Sequence, residues 1–172
     1  WNPAVHLFSQ SRGTLKYSEE IASFVPDAPA QATHSAGAAD GQMSLQEALS
    51  TGATTGAAAA KASGFTGPVA TVPQGHEMAY AVSALWRVEN GPSKGKAFLD
   101  LQNDVSVDDV HLAVREGYSN VEHVKRYTTG GMGIDQGKTG NINIIGTVAL
   151  QKGLELQDVG TTTFRSPYTP VS

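Results

Sequence analysis

Val121-Glu122-His123-Val124-Lys125-Arg126-Tyr127-Thr128-Thr129-Gly130-Gly131-Met132-Gly133-Ile134-Asp135-Gln136-Gly137-Lys138-Thr139-Gly140 is the stretch on which the second half of the chain turns. Ser119-Asn120-Val121-Glu122 ahead of it has the form of a helix cap, and Val121 and Val124 fall on one helical face. Glycines then crowd residues 130–140, and the apolar run Asn141 to Gln151 predicts a further helix. Upstream, Ser106-Val107-Asp108-Asp109 is another cap signature, with Val107, Val110 and Val114 facing inward. Three short helices around a glycine-rich loop make a unit of about sixty residues, at the low edge of independent stability.

Working back, the strongest helix signal opens at Ser44-Leu45-Gln46-Glu47, a capping box. Leu45, Ala48, Leu49, Gly52, Ala53, Gly56, Ala57 and Ala60 follow at helical spacing, and Gly64 is placed to end the helix. Glycine inside a helix costs roughly 0.5–1 kcal/mol against alanine, so Gly52 and Gly56 predict close approach to a sheet or a ligand. Ser35-Ala36-Gly37-Ala38-Ala39-Asp40-Gly41, just before this helix, reads either as a strand end feeding a helix N-terminus or as a tight packing turn. Nearer the start, Ala4 to Phe8 and Thr14 to Tyr17 read as short β-prone runs. Ser18-Glu19-Glu20 reads as the opening of a short helix that Pro26 must end. Residues 64 to 97, punctuated by Gly67-Pro68 and Gly91-Pro92, read as a linker carrying one or two strands around the apolar run Met78 to Val88.

The chain has 172 residues, 12 Lys and Arg against 16 Asp and Glu, and only 16% charged residues. Its mildly acidic balance argues against general nucleic-acid binding, and no apolar run reaches the roughly 20 residues of a membrane span. With no cysteine, disulfides, thiol nucleophiles and thiolate-held zinc or iron–sulfur sites are excluded. Trp1 at the start and the Thr/Pro-rich Thr161 to Ser172 at the end give the expectation that the sequence is the middle of a longer chain.

Gly137-Lys138-Thr139 resembles the end of a phosphate-binding P-loop, but that pattern needs glycine where Met132 stands and a strand upstream where a helix is expected. The ingredients of an anion site remain: backbone amides, Lys138, the pair Lys125-Arg126, Thr128-Thr129 and a following helix start. The alternative is a glycine turn with Lys138 solvated. His6, His34, His76, His111 and His123 show no metal-binding spacing, no serine lies in a nucleophile elbow, and no general acid or base stands out. No catalytic residue and no metal ligand is therefore assigned.

Several stretches carry a family resemblance. Lys96 to Val105, Arg115 to Tyr118, Val121 to Thr129, Gly131 to Gly133 and Asp135 to Thr139 resemble the α subunit of heterotetrameric sarcosine oxidase. Gly160 to Val171 resembles that subunit's passage into a folate-binding domain, and Trp1 to Leu7 with Ser35 to Gly41 resembles the end of its dinucleotide-binding domain. The resemblance implies an α/β part plus a small α part. Residues 1–66 would close a Rossmann-like dinucleotide-binding domain, and 67–97 would be a linker. Residues 98–160 would be a small helical domain resembling a cluster-binding, ferredoxin-like unit without its cluster, and 161–172 would lead to the folate-binding domain.

In related enzymes two cysteines lie near Asp100 and Gln102 and two near Asp135 and Gly140, and all four are replaced here. The resemblance implies FMN shared with a partner subunit, around Lys125, Arg126, Thr128, Thr129, Gln136, Lys138 and Thr139. It implies NAD near Gly37, Ala38 and Gln46, where Ala38 replaces the aspartate that bonds a flavin ribityl in flavoprotein reductases. FAD would sit in a partner subunit of a cytoplasmic complex with β, γ and δ subunits. The implied activity is oxidative demethylation of sarcosine, with electrons passing from FAD to FMN to oxygen and formaldehyde to tetrahydrofolate. The alternatives are the α subunit of a proline, opine or other secondary-amine dehydrogenase, and a non-catalytic binding or scaffold module.

Overall fold

A computed structural model of the chain describes residues 1–76, 79–88 and 95–165. Met78, Gly91-Pro92 and the tail from Ser166 onward, which the sequence reading used, lie outside the described residues. The chain divides into two compact units, Trp1–Ser83 and Ala84–Ser172, at a boundary inside the stretch read as a linker.

The first unit begins with a short helix, α1 (His6–Gln10), where a β-prone run was expected. The turn Val5 N–H to Pro3 C=O starts it, and Phe8 folds its ring over Gly13, where any Cβ would collide with the ring. Strands β1 (Leu15–Ser18) and β2 (Ser23–Pro26) then form an antiparallel hairpin. This corrects the helix expected from Ser18 to Pro26. Phe24 and Val25 are aromatic and β-branched, and pairing places Phe24 opposite Tyr17 with the rings edge to face at 5.5 Å. Tertiary pairing overrides the local cap signal.

Ser35 to Gly41 is a 3-10 turn over Gly37–Asp40 rather than a strand feeding a helix. Gly41 closes it at φ 89°, and a Cβ there would lie 2.9 Å from Val25. Helix α2 (Leu45–Ala62) follows with the full capping box: Ser44 Oγ accepts from Glu47 N–H, and the Glu47 carboxylate accepts from Ser44 N–H. It ends at Gly64 (φ 86°), with Phe65 N–H on Ala60 C=O and Gly64 N–H on Lys61 C=O. No residue of α2 is buried, and a Cβ at Gly52 or Gly56 would meet nothing within 4 Å. The close approach expected there is absent among the described residues.

The second unit is a helical cluster seated on a small hairpin that the sequence reading missed, β3 (Phe98–Asp100) with β4 (Val105–Ser106). Helix α3 (Val107–Arg115) opens from Ser106 with a capping box closed by Asp109. Helix α4 (Val121–Thr128) is capped by Asn120, whose side chain accepts from Glu122 N–H; the cap falls one residue after Ser119. Helices α5 (Asn141–Lys152) and α6 (Leu156–Val159) complete the unit.

The core is Leu99, Val105, Val107, Val110, Ala113, Val124, Ile144 and Val148. Each of its valine, leucine and isoleucine side chains contributes about 1.5–3 kcal/mol by burial. Two glycines of α5 and its cap allow the packing. Gly140 lies against β3, where a Cβ would sit 2.5 Å from Leu99 C=O, and Gly146 takes the ring of Trp86 directly on the helix backbone. Beside Trp86, Arg87 Nη1 lies 3.0 Å from His111 Nε2 on α3. Among the described residues no helix is long and apolar enough to cross a membrane.

Candidate functional site

The glycine-rich loop runs from the end of α4 to the start of α5, and the turn between β3 and β4 holds it. Asp100, 6% exposed, is the hub. Its Oδ1 accepts from Gln102 N–H at 2.9 Å and Asn103 N–H at 3.1 Å, and its Oδ2 accepts from Asn103 Nδ2 at 3.0 Å and Gly131 N–H at 2.8 Å. Burial pushes the Asp100 carboxyl up, but the bonds from Gly131, Asn103 and Gln102 outweigh it and hold it below the usual carboxylate range.

Asn103 Nδ2 also donates to Met132 C=O at 3.3 Å, and Gln102 Oε1 accepts from Asp135 N–H at 3.0 Å. Asp135 in turn accepts from Thr139 Oγ1 at 2.6 Å and from Thr139 N–H. Gly131, Met132, Asp135, Lys138 and Thr139 therefore all donate their amides within the protein. An outside anion at this loop would be met by side chains more than by those amides.

The sequence-derived residues of the second unit lie on or beside this loop. Lys125 is buried, and its Nζ donates to Thr163 C=O at 3.4 Å. Burial draws its pKa below the ordinary lysine value; Glu122 opposes that, and Arg165 and Arg126 reinforce it. Arg126 is exposed and donates to Glu122 C=O at 3.0 Å while pairing with the Glu122 carboxylate at 3.1 Å. Thr128 Oγ1 donates to Val124 C=O and accepts from Gly130 N–H.

Thr129 and Gln136 take left-handed backbone, φ 65° and φ 51°, which is strained for side chains other than glycine. Gln136 Nε2 donates to Gly133 C=O at 2.8 Å, and its Oε1 accepts from Arg165 N–H at 3.1 Å. Lys138 is half-buried and engaged within the protein, and Thr139 is bound to Asp135. Next to Arg126, the rings of Tyr118 and Tyr127 lie 4.8 Å apart, and with His123 and Arg126 they line an open cleft of about 520 Å³.

In the first unit, Gly37 (φ 64°) donates its amide to Thr51 Oγ1 at 3.2 Å, and Ala38 C=O accepts from Gly41 N–H. Gln46 is held on both sides, accepting from Gly75 N–H at 2.6 Å and donating to Ser50 Oγ at 3.1 Å. A polar cleft of about 280 Å³ nearby is lined by Glu20, Asp40, Gln42, Glu47 and Tyr80 among others.

Asp100 and Asp135, read only as replacements of cysteines, fix the loop together with Asn103, and Glu122 and Asn141, which bind the 162–163 segment, went unread as site residues in the sequence. Glu122 Oε1 accepts from Thr163 N–H at 2.5 Å, and Asn141 Nδ2 donates to Thr162 Oγ1 at 2.9 Å. Asn141 Oδ1 is buried without a hydrogen-bond partner among the described residues. One local signal was available, since Asp-x-x-Asn after a strand favours a side chain that bonds the amides two and three positions on.

Residues 94–172 match the sarcosine oxidase A3 domain. The whole chain is 44% identical over 179 aligned residues to sarcosine oxidase subunit alpha of Corynebacterium sp. (strain P-1), 42% over 174 to that of Rhizobium meliloti (strain 1021), and 45% over 183 to that of Corynebacterium sp. (strain U-96). The chain spans 17–18% of the length of these relatives. In fold it is similar to the crystal structure of L-proline dehydrogenase from P. horikoshii, with a TM-score of 0.69 and 19% identity over 99% of this chain and 36% of that one. Residues 94–172 match the A3 domain and the chain aligns throughout its length, so the chain is similar from end to end to a segment of sarcosine oxidase α subunits.

Proposed function

We propose that this chain is the cofactor-contacting segment of a flavin-dependent amine oxidoreductase of the sarcosine oxidase type. The observation that carries the reading is identity of 42–45% to sarcosine oxidase α subunits over the full chain. In this reading the complete enzyme demethylates sarcosine oxidatively, and electrons pass from FAD in a partner subunit to FMN and then to oxygen. Formaldehyde goes to tetrahydrofolate. The amine is oxidised elsewhere in a complex of α, β, γ and δ subunits in the cytoplasm, and no residue of this segment acts as acid, base or nucleophile.

When bound, FMN supplies a carrier that accepts and releases electrons one or two at a time. The donor set of the second unit fits its anionic end. Arg126 lies exposed at the helix end, and Thr129, Gln136, Lys138 and Thr139 lie along the loop. Lys125 acts from below: its buried ammonium holds Thr163 and adds positive potential under Arg126. Thr128 fixes the loop entry through Gly130 N–H. In the first unit, Gly37, Ala38 and Gln46 frame the NAD side, residues 1–66 closing a Rossmann-like domain whose remainder covers the open face of α2. The helical unit is the cluster-type fold without thiolates, its loop held by hydrogen bonds.

The test is Arg126→Ala combined with Lys138→Ala in the assembled enzyme. Charge-assisted bonds of this kind are worth roughly 1.5–3 kcal/mol each, so FMN retention is expected to weaken by at least about tenfold. Unchanged FMN content and turnover would sink the reading.

A further inference from the structure

We infer that Asp100 is a positioning residue: its one buried carboxylate sets the conformation of the glycine-rich loop and so the side chains that the loop presents. Its importance for a cofactor rests on the function proposed above, whereas the loop-setting role rests on geometry alone. Four hydrogen-bond donors converge on this carboxylate, two from the backbone of its own turn, one from the Asn103 amide and one from Gly131, 31 positions away. All four are neutral.

Three linked contacts carry the constraint onward. Asn103 passes from Asp100 to Met132 C=O, Gln102 passes from the same turn to Asp135 N–H, and Asp135 holds both the amide and the hydroxyl of Thr139 just before α5. The loop is thus pinned near its start and middle to one strand turn, and its end is tied to that middle through Asp135. Asp100, Gln102 and Asp135 lie at or near positions where the family resemblance places thiolates, and here they are joined by hydrogen bonds.

A carboxylate suits this place because it only accepts. An amide would turn its own N–H donors toward Gly131 N–H or Asn103 Nδ2, setting donor against donor at a buried site. The loop has little room to adjust. Gly131 sits at φ 73°, and a Cβ there would come within 3.3 Å of Asn141 Oδ1 and 3.4 Å of Gly137 Cα. A loosened Asp100 therefore releases the loop as a unit, together with Gln136, Lys138 and Thr139.

The experiment is hydrogen–deuterium exchange with mass spectrometry on the complete enzyme, comparing wild type with Asp100→Asn. A peptide spanning 129–140 is read against one spanning 144–149. The loop peptide is expected to accelerate at least about tenfold more than the α5 peptide, because local opening adds to any loss of global stability. Asp100→Glu, which keeps the acceptor, is expected to restore part of the protection. Should Asp100→Asn fail to assemble, Gln102→Met removes only the bridge to Asp135 and is expected to loosen the same peptide.

Loop exchange at the wild-type rate in the variant that assembles would overturn the inference. So would equal loosening of α5, which marks a merely structural residue. Bound-flavin absorbance, recorded on the same samples, is expected to shift or fall. A loosened loop with unaltered flavin absorbance would leave the positioning role standing and overturn the cofactor reading of the loop.

Discussion

The ammonium of Lys125 donates to the carbonyl of Thr163 at 3.4 Å, across 38 positions of sequence. Glu122, one turn earlier on α4, accepts from the amide of the same residue. One face of α4 thus captures both backbone polar groups of Thr163. The arrangement buries a cation: Lys125 is 5% exposed.

Lys125 has a depressed pKa in the folded chain, chiefly through burial. Between that value and the unfolded value near 10.5, the unfolded chain binds more protons, so stability rises with pH. Lys125→Met, similar in length, is expected to flatten this rise. Thermal unfolding recorded from pH 7 to pH 10.5 checks it, and an unchanged slope would remove Lys125 as its source.

Asp100 has the opposite sign. Its carboxyl is held below the unfolded value of 3.8, so its stabilisation is fully present above that pH. The stabilisation is lost as pH falls through the folded value. Asp100→Asn is expected to lose stability at neutral pH, by about 1–3 kcal/mol for the mismatched buried donors. It is also expected to show a shallower acid dependence below pH about 4. Urea unfolding at pH 7 and at pH 3 measures both.

Thr129 caps α4 at φ 65°, where a β-branched residue stores about 1–3 kcal/mol of backbone strain. Thr129→Gly is expected to stabilise the chain, raising Tm by roughly 2–4 °C per kcal/mol recovered for a chain of this size. The same substitution is expected to weaken flavin retention by the whole enzyme. A fall in Tm would show that the threonine hydroxyl matters more to the fold than its backbone strain.

Two glycine-to-alanine changes separate open from closed helix surfaces. Gly52→Ala adds a methyl group where nothing lies within 4 Å, and is expected to stabilise by about 0.5–1 kcal/mol. Gly140→Ala would drive its Cβ to 2.5 Å from Leu99 C=O, and is expected to cost about 1–3 kcal/mol through displaced backbone. Denaturant midpoints of the two variants of the 172-residue chain should move in opposite directions.

What the sequence determined by itself is what is local. The capping boxes at Ser44–Glu47 and Ser106–Asp109, the αL stop at Gly64 and the valine stripes of α3 and α4 each involve residues within one or two helical turns, and all formed as read. The family resemblance was legible for the same reason, since residue identities alone carry it.

Tertiary structure decided whatever depended on a distant partner. Residues 15–26 pair as a hairpin, with Phe24 packed on Tyr17 across the strands, where the local cap signal at Ser18 predicted helix. Lys125, one of a basic pair read as part of an anion site, is buried and bonded to a segment 38 positions away. The amides of Gly131, Asp135, Lys138 and Thr139 were claimed by Asp100, Gln102 and Asp135 rather than left for a ligand. A hydrogen bond between residues thirty positions apart leaves no periodicity in the sequence, and a carboxylate reads the same whether it faces water or four amide donors. Folding alone brings the donors to it, and burial then makes that contact strong enough to set the loop.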